Sequence, residues 1–264
     1  MAEIPMNLQE LMAWDPPDIV TIIGDREQGI LVPMGKMLIY GRWGSWKSML
    51  VQDMCIKMAL GANWLGFNTI PSASFYLQVE VPQAQMKDRV EKYLKGNNVL
   101  RPPNNVRIWS TPFYKINRDP SGYLNAHLAS KSAKVLVMDP VTKIISGSLN
   151  DVEDMSRLTD KADEIADKHR VATVMIGHIR KPSNEEDHEG LWNLENELIG
   201  SSALADWADT MISLQLTDGD REVHVQFEKV RHSHILVPPR HVIWDRANLK
   251  PTVTPCTCRR NGQS

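Results

Sequence analysis

The chain has 264 residues, 42% of them hydrophobic, and a formal net charge of −2. That length suits one large α/β domain, or one domain with appendages, and supplies ample apolar residues for a core. The charge balance excludes a strongly basic coat but not a local basic channel, and no apolar run approaches the ~20 residues of a membrane span.

Residues 1–30 are Pro-rich around Asp15-Pro16-Pro17 and read as an N-terminal arm; Met1 to Glu10 lack the basic and apolar regions of a signal peptide. Met37-Leu38-Ile39 belong to a first strand. A helix follows over 47–60, with Leu50, Val51, Met54, Cys55 and Met58 on one face and Gly61 as its stop. Phe75–Val79 is a second strand, ending at Glu80, and a helix over 83–95 ends at Gly96-Asn97. Val106–Trp109 is a third strand. Lys134–Met138 is a fourth, without alternation, as in a strand buried on both faces.

The periodicity of Met155, Leu158, Ala162 and Ile165 predicts a helix over 151–169, with Asn150 and Glu153 as a capping pair. Val171–Ile176 is a fifth strand, and the polar residues 180–197 read as a mobile loop. Strands over about 210–216, 222–228 and 241–244 then follow in hairpin spacing around Thr217-Asp218-Gly219-Asp220. Pro251 to Ser264 read as a flexible tail. This order predicts an α/β fold: a mostly parallel twisted sheet with helices on both faces and antiparallel strands added at the C-terminal side. The expected domain spans 31–250.

Three cysteines argue for a reducing compartment, which fits a cytoplasmic protein. Cys55 is expected to be buried. Cys256 and Cys258 form a lone C-x-C, with no second pair to complete a zinc site.

Chemistry concentrates where strands end. Gly41, Arg42, Trp43, Gly44, Ser45, Trp46, Lys47 and Ser48 lie between the first strand and its helix, the place of a phosphate-binding loop. There backbone N–H groups point at phosphates, Lys47 would reach the β- and γ-phosphates of ATP, and Ser48 would ligate Mg²⁺. Trp46 departs from the G-x-x-x-x-G-K-[ST] pattern, in which a glycine precedes the lysine. The next strand ends supply Glu80, Asp139 and His178: a water-positioner, a metal ligand shared with Ser48, and a polar sensor.

These segments, with Gly61-Ala-Asn-Trp-Leu-Gly66 and Gly200-Ser-Ser-Ala-Leu204, resemble the RecA-like P-loop ATPases, within them the RepA-type hexameric replicative helicase branch and related phage-encoded ATPases. The resemblance covers about 30–245, and an aromatic before the loop lysine recurs in that branch. It implies ATP hydrolysis between the subunits of a hexameric ring, with Glu80 polarising water and His178 relaying loss of the γ-phosphate. Lys229 and Arg231, in Phe227-Glu-Lys-Val-Arg231, are similar to the paired trans-acting Lys and Arg of DnaB-type helicases and KaiC. The RepA arginine falls instead just after the Ser-Ser-Ala-Leu segment, near Asp209 here. Arg89 is a further candidate for the same neighbourhood.

Single-stranded DNA would meet the loops over 141–150 and 179–199, through Lys143, Arg180, Lys181 and Trp192; Glu185-Glu186-Asp187 make the second loop partly acidic. A solvated lid is the plainer alternative. The implied task is helicase or translocase work in plasmid or phage replication, in a bacterial or phage-infected cell, with a replication initiator or primase as a separate partner. A filament-forming recombination ATPase, a KaiC-like protein-binding switch and a structural module disabled by Trp46 remain open.

Overall fold

The computed structural model describes residues 5–15, 20–116, 122–146, 152–178 and 201–256. An N-terminal helix α1 (Leu8–Ala13) precedes two short strands, β1 (Ile23–Gly24) and β2 (Gln28–Leu31). The alternating core follows: β3 (Lys36–Gly41), α2 (Lys47–Leu60), β4 (Ser74–Gln78), α3 (Gln83–Gly96), β5 (Val106–Ser110), α4 (Tyr123–Lys131), β6 (Val135–Asp139), α5 (Val141–Ile144), α6 (Val152–His169) and β7 (Ala172–His178). After α7 (Ser201–Trp207) the chain turns to strands: β8 (Thr210–Asp218), β9 (Glu222–Val230), β10 (His232–Ser233), β11 (Arg240–Asp245) and β12 (Lys250–Pro255).

Nine strands form one sheet in the order β12-β11-β9-β8-β3-β7-β6-β4-β5. From β8 to β5 neighbours run parallel, and β8, β9, β11 and β12 are joined antiparallel. This is the expected α/β architecture with its antiparallel extension. Apolar residues cover both faces. Met37 and Ile39 of β3 join Leu50, Val51, Met54 and Met58 of α2 in one cluster. Leu38 and Tyr40 join Met155, Leu158, Ala162 and Ile165 of α6 in the other. Among the described residues no helix is long and apolar enough to cross a membrane.

Local signals set several boundaries. Gly61 stops α2 in the left-handed region (φ 65°), its N–H returning to the carbonyls of Lys57 and Met58. Met155, Leu158, Ala162 and Ile165 are all buried, as their spacing predicts; Asn150 lies outside the described residues.

Two boundaries differ from expectation. The segment read as an arm carries Ile22, Ile23 and Ile30, all buried in the core, because β1 and β2 form a second sheet with β10. The segment read as a tail begins with β12, paired to β11 from Asp245↔Lys250 to Arg240↔Pro255. Its prolines fit an edge strand, which has a free side where no ladder N–H is needed.

Candidate functional site

The loop between β3 and α2 is shaped by two glycines for different reasons. A Cβ on Gly41 would lie 2.3 Å from the carbonyl oxygen of Leu214, so β8 runs too close for a side chain. Gly44 has φ +81° with open space around it, so its requirement is conformational. Trp46 is also left-handed, φ 63° and ψ 15°, and serves as the N-cap of α2 without a side-chain cap. That conformation explains why glycine is usual there. Two long-range contacts hold the tryptophan instead: its ring stacks on Trp244, and its Nε1–H donates to the carbonyl of Asp220 at 2.7 Å. Asp220 is itself ion-paired with Arg246.

Lys47 is buried and folded back into its loop. Its Nζ donates to the carbonyls of Gly41 (2.9 Å) and Arg42 (2.6 Å) and to Ser45 Oγ (3.2 Å). Burial lowers its pKa to about 8, against the opposing pull of the Asp139 and Glu80 carboxylates.

Asp139 ends β6, fully buried. The Tyr76 hydroxyl donates to its Oδ2 at 2.5 Å, and Ser48 hydrogen-bonds the same carboxylate. Burial raises the pKa of Asp139; the Tyr76 and Ser48 bonds oppose this, Glu80 adds to it, and Arg89 on α3 counters it. A buried carboxylate beside a hydroxyl is an all-oxygen donor set that suits a hard divalent cation, so Ser48 and Asp139 fit Mg²⁺.

Glu80 sits two residues beyond β4. The Gln78 side chain, buried beneath it, accepts the N–H of Glu80 (3.1 Å) and of Val81 (2.7 Å), fixing the turn. The Glu80 carboxylate is exposed, yet close enough to act electrostatically on Lys47 and Asp139. His178 ends β7 opposite Gly41 in the parallel register. Burial, then the charges of Lys47 and Lys143, lower its pKa to about 4, so it is neutral at physiological pH. Lys143 is exposed on α5.

The structure therefore brings Lys47, Ser48, Glu80, Asp139 and His178 to one rim, at the carboxyl ends of β3, β4, β6 and β7. Arg231 and Lys229 are elsewhere. Val230 pairs with Thr210, and Thr210 with Met37, which puts Arg231 at the amino-terminal end of β3. β3 separates the two ends by about 17 Å. There Arg231 bonds Asp209 at 2.7 Å, and Lys229 Nζ donates to the carbonyl of Ala205 at 2.9 Å. The expectation that these cations serve a nucleotide site cannot be met within one subunit. Arg180, Lys181 and Trp192 lie outside the described residues.

A family model described as an AAA domain matches residues 19–184, more than half of the chain. The chain belongs to that family. This AAA domain is similar in fold to the ATPase domain of a phage helicase, with a TM-score of 0.61 and 12% identity over 83% of this chain and 84% of that one. A KaiC-like protein from the hyperthermophilic archaeon Pyrococcus horikoshii OT3 gives a TM-score of 0.60 at 15% identity, over 91% of this chain and all of that one. No curated protein sequence matches significantly. This AAA domain is thus a RecA-like P-loop ATPase.

Sequence reasoning assigned no role to Tyr76, Gln78 or Trp244. Tyr76 and Gln78 stand in the quoted strand Phe75–Glu80, where their inward polar ends were the available signal. Nothing local to Trp244 connects it with a loop so far back in the chain.

Proposed function

We propose that this protein hydrolyses ATP at sites shared between neighbouring subunits and uses the energy to move on single-stranded DNA. It would act as a ring-forming, hexameric motor of the RepA type, with Mg²⁺ as cofactor. The observation that carries this reading is the gathering of Lys47, Ser48, Glu80, Asp139 and His178 at one rim, with Arg231 at the opposite end of the sheet. A cation placed there serves a neighbour's nucleotide in a head-to-tail assembly.

In this mechanism Lys47 leaves the carbonyls of Gly41 and Arg42 for the β- and γ-phosphates, and loop N–H groups take the remaining phosphate oxygens. Ser48 and Asp139 hold Mg²⁺, which neutralises phosphate charge when bound. Glu80 orients the attacking water. Neutral His178 hydrogen-bonds near the γ-phosphate and feels its departure. Arg231 of the adjacent subunit, with Lys229, offsets charge developing in the transition state. Lys143, Arg180, Lys181 and Trp192 contact DNA, each cation repeated around the channel. The setting is the cytoplasm of a bacterial or phage-infected cell, with an initiator or primase as a separate partner.

The test is steady-state ATP hydrolysis without nucleic acid, with single-stranded DNA and with duplex DNA, Glu80→Gln serving as the blank. Strong stimulation by single-stranded DNA, lost in the blank, supports the motor, and imaging then separates rings from recombinase-like filaments. Hydrolysis indifferent to nucleic acid overturns it in favour of a protein-binding switch, the second reading favoured by the acidic run Glu185-Glu186-Asp187.

A further inference from the structure

On the C-terminal strands, far in sequence from the nucleotide loop, the antiparallel register builds a cluster of different chemistry. His241 of β11 stands directly opposite His224 of β9, and opposite Thr254 of β12 on its other side. Cys256 lies two residues beyond Thr254 and, by strand alternation, falls on the same face. Its N–H donates to the carbonyl of Pro239, which holds the chain end against β11. The ligating atoms of His224, His241 and Cys256 all lie within 4.8 Å of one another.

We propose that His224, His241 and Cys256 form a Zn²⁺ site that clips the last strand to β11 and β9. Zn–N bonds of about 2.0–2.1 Å and Zn–S bonds of about 2.3 Å put tetrahedral ligand atoms roughly 3.3–3.8 Å apart. The separations here bracket that range: His241 Nε2 is 3.0 Å from Cys256 Sγ, and the whole set lies within 4.8 Å. Small side-chain rotations seat the ion.

A second observation points the same way. Glu222 Oε1 is 2.7 Å from His241 Nδ1. A carboxylate there takes the Nδ1 proton and leaves the Nε2 lone pair facing the sulfur, the outer-shell arrangement that orients zinc-bound imidazoles. Two imidazoles and a thiolate select a borderline-soft ion over Mg²⁺, which keeps this centre chemically separate from Ser48 and Asp139. Binding displaces the Cys256 thiol proton to solvent, and water completes the fourth position. Cys258 lies outside the described residues and is no part of the ligand set. A pair of cysteines was therefore the wrong unit to look for: the partners of Cys256 are imidazoles supplied by two other strands.

The test uses the full chain, stripped with a chelator and titrated with Co²⁺ as a coloured stand-in. One Co²⁺ per chain, a thiolate-to-cobalt charge-transfer band and intense tetrahedral visible bands are expected, all displaced by Zn²⁺. His224→Gln, His241→Gln and Cys256→Ser should each weaken binding at least tenfold, and Glu222→Gln by about tenfold with stoichiometry kept. Zn²⁺ should raise the melting temperature of the wild type but not of Cys256→Ser. That last variant sits at a strand end, so it remains informative should a histidine variant fail to fold. Absence of the thiolate band overturns the proposal. So does binding that survives unchanged in both histidine variants, which would assign the metal to the two tail cysteines alone. None of these readouts involves ATP, so failure here is distinguishable from failure of the motor.

Discussion

The indole of Trp46 lies flat on that of Trp244, ring centroids 5.2 Å apart and planes 4° from parallel. A residue of the phosphate loop is thereby anchored to β11, which β9 and β8 separate from β3 in the strand order. A bulky residue in left-handed backbone costs about 1–3 kcal/mol. Aromatic stacking returns about 0.5–1.5 kcal/mol beyond the area buried.

This balance orders a mutant series. Trp46→Gly loses the stack but relieves the backbone, and its stability should change by no more than about 1 kcal/mol. Trp46→Ala loses the stack and keeps the strain, so it should be the less stable of the two. Trp244→Ala, at a fully buried position, should cost about 3–5 kcal/mol. Urea unfolding measures all three; an alanine at 46 tolerated as well as glycine would remove the account.

Lys47 gives nucleotide affinity a pH dependence with a definite sign. Its free-state pKa of about 8 is low because of burial, and phosphate charge raises it on binding. Affinity should be level below pH 8 and fall above it, approaching tenfold per unit until the bound-state pKa is reached. Calorimetric titration of ATP from pH 7 to 9.5 checks this, with Lys47→Ala showing weak binding and no such slope. Affinity constant through pH 9 would contradict it.

Removing the Tyr76 hydroxyl tests the carboxylate beneath it. Burial raises the pKa of Asp139 and the Tyr76 bond holds it down, so Tyr76→Phe should raise it further. The acid limb of the kcat/KM profile should then move to higher pH, and the fold should lose about 1.5–3 kcal/mol, as for a hydrogen bond to a charged group. An unmoved limb would show that Tyr76 serves packing alone.

Arg231→Ala should lower hydrolysis by about 10³-fold or more while leaving nucleotide binding intact. Lys47→Ala should be inactive for the opposite reason. Mixing the two should restore part of the activity, because some interfaces then combine an intact loop with an intact arginine. No recovery on mixing would rule out an arginine acting across subunits.

How much could be read from the chain alone follows sequence distance. Strand β3, the loop and α2 are contiguous, so a single stretch carries pattern, turn chemistry and cap together. The buried strands β4, β6 and β7 announce themselves as apolar runs, and the residues after them could be named without knowing the strand order. What escaped depends on register. Trp46 meets Trp244, Tyr76 meets Asp139, and His224 meets His241 and Cys256 only once distant strands have paired. The short β1 and β2 escaped for another reason: two- and four-residue strands are too brief for periodicity to register. Proline masked β12, although an edge strand tolerates it.

The strand that carries Arg231 leads at once into β10, where His232 pairs with Gly29 of β2. The first strands of the protein and its exposed arginine are therefore one mechanical piece. A force on the N-terminal segment pulls on the arginine before it reaches the phosphate loop. An amino-terminal truncation into β2 would thus do more than shorten the protein: it would unmoor the arginine end of β9 while sparing every residue of the nucleotide rim.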